Sequence, residues 1–302
     1  MDLSVNFTNI KFKNPIVTAS GTFGFGREYA EYYDISKLGG ICVKGLTAAP
    51  RLGNKPPRVA ETPMGMLNSV GLQNPGVDAF IRDELPYLRK YDTVLIANIS
   101  GNTIEEYAEM TQKLSDAGID IIEVNVSCPN VKAGGMAFGT SPDSVAAVTG
   151  AVKQVAAVPI MIKLSPNVTD IAQIAKAAEN AGADAISLIN TLLGMKIDIT
   201  TRKPVLNNNV GGLSGPAIFP VAVRMVWQAA AAVKIPVLAM GGVTTGNDAA
   251  EMMLAGADLI GVGTACFDDP YAPVKIIEQL AQYMRQNKIE RACDITGKVE
   301  IN

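Results

Sequence analysis

A thiol stands at Cys128, in the run Asn125-Val126-Ser127-Cys128-Pro129-Asn130, directly after the apolar stretch Ile119 to Val126. It opens a loop, Val131 to Gly139, that contains Gly134, Gly135 and Gly139. A reactive group placed where rigid sheet gives way to loop can act on a molecule that enters from solvent. The chain contains no histidine, the usual general base near neutral pH, and a thiolate is the natural replacement. Free cysteines more often serve as small buried hydrophobes. Cys128 differs in following Ser127 and preceding Pro129-Asn130, within a polar segment.

Other apolar stretches also end on polar residues. Lys44, Asn98, Asn125, Lys163 and the pair Asn190-Thr191 each close one. A single asparagine at such a place can be a helix cap, but five ends of this kind make a wet pocket with amide groups and two cations. Glycines follow two further stretches, in Met240-Gly241-Gly242-Val243 and Gly261-Val262-Gly263-Thr264, and Gly215 precedes Pro216 at a helix start. Backbone amides at such turns and helix starts cradle phosphate. A phosphate, a lysine, several amides and a loop thiolate fit flavin mononucleotide (FMN) with a small polar substrate. The thiolate would take a proton and the flavin a hydride, with Lys163 beside the electron-rich edge of the reduced ring. By alternation Glu123 faces the same side as Asn125, suited to offset Lys163 from below.

The elements that must position these groups share one grammar. Ala117-Gly118-Ile119-Asp120, Ala181-Gly182-Ala183-Asp184 and Ala255-Gly256-Ala257-Asp258 each close a helical pattern and open an apolar strand. The glycine suits the left-handed position that ends a helix, and a nearly continuous apolar strand is one buried on both faces, as in parallel sheets. Upstream helices are amphipathic, with Ile171, Ile174, Ala175 and Ala178 on one face. The grammar predicts strands at Pro15–Ala19, Gly40–Lys44, Val94–Asn98, Ile121–Val126, Ile160–Leu164, Ala185–Asn190, Pro236–Met240 and Leu259–Gly263. Helices are expected near 76–90, 103–117, 142–156, 170–181, 216–232, 247–255 and 271–286.

Eight such units point to a single (β/α)8 TIM barrel, residues 1–302, whose site lies at the C-terminal strand ends, with phosphate after strands seven and eight. Leu3 to Phe12 reads as an N-terminal β-hairpin around Thr8-Asn9 that could close the barrel floor. Pro50 to Pro75, rich in Pro, Gly and Asn, reads as a long insertion over the C-terminal face. A doubly wound fold is the runner-up, weakened because Gly21, Gly24 and Gly26 have the wrong spacing for a dinucleotide fingerprint.

Composition sets limits. At 302 residues with 48% hydrophobic and 18% charged residues, the chain can pack a core. Its net charge of −3 offers no basic footprint for nucleic acid. No apolar run reaches the roughly 18 residues of a membrane span, and Met1 to Asn6 lacks a signal-peptide layout. A cytoplasmic location is the default expectation. Four cysteines, Cys42, Cys128, Cys266 and Cys293, form no CxxC pair, so this chain alone builds neither a zinc nor an iron–sulfur site. Cys42 and Cys266 read as core.

From Asn14 to Asp268 the sequence resembles the dihydroorotate dehydrogenase family. Asn125 to Asn130 is similar to its active-site loop, Asn68-Ser69-Val70-Gly71-Leu72-Gln73-Asn74-Pro75 to its substrate-binding hairpin, and Gly212 to Ala217 to its flavin-proximal turn. The resemblance implies an FMN-containing barrel that oxidises (S)-dihydroorotate to orotate in pyrimidine synthesis, with Cys128 as the base that removes the C5 proton. It implies a substrate pocket of Lys44, Asn68, Ser69, Val70, Gly71, Leu72, Asn125, Asn190 and Thr191. FMN would contact Ser20, Lys44, Gly45, Asn98, Asn125, Lys163, Ile189, Gly215, Gly241, Gly242, Gly263 and Thr264. The cysteine places the chain in the family's soluble class. Ala19 to Glu28 and Lys132 to Met136 look most like the catalytic subunit of the NAD-dependent type, a homodimer joined by a second subunit with FAD and an iron–sulfur cluster. The fumarate-using type is the main alternative.

Rival readings come from other classes. A Schiff-base aldolase would use Lys44 or Lys163 and leave the Cys128 loop without a role. A flavin-binding module without catalysis would hold FMN yet show no bleaching. A dihydropyrimidine dehydrogenase-like flavoprotein would lack need of a carboxylate-binding hairpin.

Overall fold

The structure, a computed structural model, describes residues 1–127 and 138–302. Cys128 and the loop to residue 137 lie outside the described residues. Eight parallel strands close into a barrel: Ile16–Thr18, Gly40–Cys42, Val94–Ile99, Ile121–Asn125, Ile160–Lys163, Ala185–Leu188, Val237–Met240 and Leu259–Val262. Each falls within or against a stretch expected from sequence, and the closed ring excludes the doubly wound alternative. They are buried on both faces, which is why their sequences run apolar without alternation.

The repeated Ala-Gly-x-Asp phrase has a mechanical use. Gly118, Gly182 and Gly256 take φ of 75°, 98° and 119°, which ends each helix. The aspartate two residues on then accepts an amide at the start of the neighbouring strand. Asp120 accepts from Leu95 N at 2.8 Å, Asp184 from Ile160 N at 2.9 Å and Asp258 from Val237 N at 2.9 Å. Each phrase thereby ties one strand start to the next.

The helices lie at Ile104–Asp116, Pro142–Val155, Ile171–Asn180, Phe219–Ala230, Gly246–Leu254 and Ala272–Gln286. Thr103, Ser141, Asp170 and Thr245 cap four of them through side-chain oxygens. The helix expected near 76–90 is broken into Val77–Ala79, a wider-turn Phe80–Glu84 and Leu85–Leu88. Pro86 has no amide to give residue 82, and Leu85 N bonds instead to Phe80 O. Between the first two barrel strands the chain makes only Arg27–Ala30 and a 3-10 turn at Ile35–Lys37.

The hairpin Val5–Phe7 and Ile10–Phe12 forms around Thr8 and Asn9, both at positive φ. Phe7 and Phe12 are wholly buried and meet edge to face at 6.0 Å. At the opposite end, Pro50 to Pro75 runs over the barrel mouth, and part of it is sheet. Val59–Thr62 and Gly65–Asn68 pair with each other and then with Gly211–Ser214 and Leu192–Gly194 in a four-stranded antiparallel sheet. Among the described residues no helix is long and apolar enough to cross a membrane.

Candidate active site

The barrel mouth and this sheet enclose a cavity of about 430 Å³. Its lining includes Ser20, Lys44, Gly45, Asn98, Asn125, Lys163, Ile189, Asn190 and Thr191 from successive strand ends. Gly215, Gly241, Gly242, Gly263 and Thr264 form another wall, and Asn68, Val70, Gly71 and Leu72 come from the covering hairpin. Ser69, expected in the substrate pocket with the rest of that hairpin, is not among the residues that line the cavity. Its side chain is wholly buried, and its hydroxyl has no partner among the described residues. Asn68 and Val70 face inward, so strand alternation turns Ser69 the other way.

Register explains how the polar groups meet. Asn98 pairs with Glu123, Asn125 with Lys163, and Lys163 with Ser187 on adjacent parallel strands, so their side chains share the barrel interior. Lys163 Nζ lies 3.6 Å from Glu123 Oε2 and donates to Ser20 Oγ at 3.2 Å across the mouth. Glu123, as its alternation indicated, sits beneath Lys163 and is wholly buried. Ser187 Oγ donates to Glu123 Oε1 at 2.7 Å, and Asn98 Nδ2 donates to Oε2. Cys42 is buried in the core as expected, and its Sγ also donates to Glu123 Oε2 at 3.3 Å. Burial, then the Glu123 charge, push the Cys42 thiol well above its ordinary range. Burial likewise raises Cys266 to about 12. Neither is suited to serve as a thiolate.

A second polar group borders the start of the Cys128 loop. Asn125 Oδ1 accepts from Ser127 Oγ at 2.8 Å and from Asn190 Nδ2 at 3.3 Å, while Asn190 Oδ1 accepts from Thr191 N at 2.8 Å. Tyr107 OH donates to Asn125 O at 2.8 Å, holding the strand end from the outer side. Ser127 was not singled out from sequence, although it lies inside the motif that was. Thr22, Met66, Ser214 and Phe267 also line the cavity unanticipated. Ser214 sits within the Gly211 to Gly215 run and accepts from Thr264 Oγ1 at 2.8 Å.

Two features test what the cavity can hold. Asn98 Oδ1 is buried, without a partner among the described residues, and 2.8 Å from where a Cβ on Gly45 would stand. An orphaned acceptor of this kind suits an N–H donor on a ligand. Gly241 and Gly242 take φ of 130° and 79°, and a Cβ on Gly242 would lie 2.8 Å from Gly215 O. The glycine turns are therefore pressed together, with backbone rather than side chains at the wall, beside the Thr264 and Ser214 hydroxyls. This arrangement suits phosphate oxygens. The cavity fits a ring with an N–H donor at the lysine end and a phosphate at the glycine end.

A closed parallel barrel with two lysines, converging amides and glycine turns at its C-terminal mouth defines a TIM-barrel enzyme site whose residues would fit a phosphate-bearing group. The dihydroorotate dehydrogenase profile matches residues 2–284, and the chain belongs to that family. It is 58% identical over 298 residues to the dihydroorotate dehydrogenase B (NAD(+)) catalytic subunit of Alkaliphilus oremlandii, covering 99% of both chains. The protein of the same name from Thermoanaerobacter pseudethanolicus is 57% identical over 302 residues and the full length of both. In structure the chain resembles dihydroorotate dehydrogenase from Eimeria tenella in complex with ferulenol. The TM-score is 0.81 at 21% identity, over 98% of this chain and 88% of that one, a likeness of fold.

Proposed function

We propose that this chain, acting as one domain, oxidises (S)-dihydroorotate to orotate in pyrimidine synthesis, with FMN in the cavity and Cys128 as the base. The observation that carries this reading is convergence. Every FMN-contacting residue expected from sequence lines the one cavity, and all the described substrate residues except Ser69 join them. FMN, when bound, supplies the acceptor for the hydride that leaves C6. The Cys128 thiolate takes the C5 proton, and the electron pair of that C–H bond becomes part of the C5=C6 bond. Asn68, Asn125 and Asn190 offer amides that both donate and accept, which matches the ring amides of the substrate. Lys44 stands where it can serve the substrate carboxylate and the cofactor ring together. Lys163 and Asn98 meet the ring, and Gly215, Gly241, Gly242, Gly263 and Thr264 hold the phosphate.

The relatives named above are catalytic subunits. This supports reading the chain as the FMN subunit of an NAD-dependent cytoplasmic enzyme, a homodimer joined by a subunit carrying FAD and an iron–sulfur cluster. The visible spectrum of the purified chain tests the chemistry. The protein should be yellow and bleach on anaerobic dihydroorotate. A colourless chain that borohydride traps on a carbonyl substrate would support the aldolase instead, and a yellow chain that no dihydropyrimidine bleaches would be a binding module.

A further inference from the structure

Glu123 takes no part in the chemistry above, yet its carboxylate is wholly buried one level below the cavity. Donors from four other barrel strands surround it: Cys42 Sγ, Asn98 Nδ2, Lys163 Nζ and Ser187 Oγ. Burial of a carboxylate is unfavourable unless it is paired and hydrogen-bonded. Replacing a buried ion pair with packed apolar groups is often neutral or stabilising, so stability alone does not account for the charge. The two donors that also line the cavity, Asn98 and Lys163, suggest what does.

We infer that Glu123 is a positioning residue that sets which polar atoms the cofactor meets. The carboxylate accepts from Asn98 Nδ2 and so leaves Oδ1 as the amide's free end, unpartnered among the described residues. A half-turn of that amide would set its oxygen against the carboxylate. The cavity therefore presents an acceptor and not a donor at this point. Lys163 is held between Glu123 at 3.6 Å and Ser20 at 3.2 Å, and the carboxylate offsets part of the positive field that the cavity receives. Cys42, its thiol pushed up by burial and by Glu123, donates S–H and adds no second negative charge.

The inference rests on the FMN reading, and the experiment separates the two. The full-length chain is loaded with FMN, its dissociation constant is read by flavin fluorescence, and its reduced-to-oxidised ratio is read against a reference dye. Glu123→Gln keeps the shape and removes the charge. The reduced form, which carries negative charge, should then be favoured, raising the ratio roughly tenfold at fixed dye poise. One amide oxygen cannot serve four donors, so FMN binding should weaken by about 10–100-fold, the range seen when outer-shell partners of bound metals are lost. Glu123→Asp, with its carboxylate drawn back by one methylene, should restore both quantities in part. If Glu123→Gln does not fold, Glu123→Asp carries the test with a smaller rise in the same direction. An unchanged or lowered ratio, with only the unfolding temperature affected, overturns the inference and leaves the FMN reading standing. A wild-type chain that binds no FMN overturns both.

Discussion

At the scale of single residues, Cys128 and Lys44 carry separable predictions. Cys128→Ala should retain FMN and bind orotate, but slow flavin reduction by about 10²–10⁴-fold, the usual effect of losing a general base. Cys128→Ser should be nearly as slow, because an unassisted hydroxyl is a much weaker base than a thiol of pKa ~8.5. Stopped-flow reduction by dihydroorotate reads both, and near-normal rates in the alanine variant would remove Cys128 from the mechanism. Cys42 and Cys266 are not expected to substitute, since burial holds both thiols protonated. Lys44 lines the cavity among residues proposed for both ligands. Lys44→Ala should weaken orotate binding and slow reduction together, each by about tenfold or more, as loss of a charged hydrogen-bond partner implies. A change in thermal stability alone would assign Lys44 to the fold.

At the scale of elements, the covering sheet and the floor aspartates make opposite kinds of prediction. A Cβ on Gly65 would lie 2.3 Å from the Ser214 carbonyl oxygen on the paired strand. Gly65→Ala should part these strands over the cavity at about 1–3 kcal/mol, the usual range of overpacking. Orotate affinity should fall with little change in the main unfolding transition, and titration beside calorimetry distinguishes the two. Asp120 and Asp184 have Arg89 and Lys153 as ion-pair partners, each at the near-floor end of a strand. For Asp258, burial raises the carboxyl above its ordinary value, and the Val237 amide opposes this more weakly. A carboxyl raised by folding favours the folded state while protonated in both states. That contribution disappears as pH rises through the folded value. Asp258→Asn keeps an acceptor for Val237 and removes the charge. The variant should therefore be at least as stable as wild type at pH 7, with the difference closing below the ordinary aspartate pKa of ~3.9. Urea midpoints at the two pH values measure it, and a variant weaker at pH 7 only would contradict the account.

For the whole molecule, the outlet for electrons matters most. Cys42 and Cys266 are buried, Cys293 is exposed, and no cluster of three or more potential metal ligands occurs among the described residues. On the reading proposed above, dihydroorotate chemistry is complete in this chain while transfer to NAD⁺ needs the partner subunit. The isolated chain should pass electrons from dihydroorotate to artificial dyes and reduce NAD⁺ at a small fraction of that rate, until an FAD and iron–sulfur subunit is added. Steady-state assays with each acceptor check this. Rapid turnover with fumarate would move the chain to the other soluble type.

The sequence by itself determined the ring of strands, the helix ends and the cluster of polar strand ends, because each rests on local signals. Ala-Gly-x-Asp phrases stop helices through glycine geometry and bind the start of the preceding strand through a short side chain. Apolar runs register burial on both faces, and a parallel barrel brings all its C-terminal ends to one mouth by topology. The tertiary structure alone decided what depends on partners distant in the chain. Gly65 to Asn68 becomes a cavity roof only by pairing with Gly211 to Ser214, some 146 residues away. Ser69, just past the end of that strand, is buried away from the cavity. Cys42 is core, as its apolar neighbours in sequence indicated, but its hydrogen bond to Glu123, on a strand it does not pair with, exists only because the barrel closes. The orphaned oxygen of Asn98 is likewise invisible in a string of letters, since it is defined by which end of the amide a buried carboxylate has already taken.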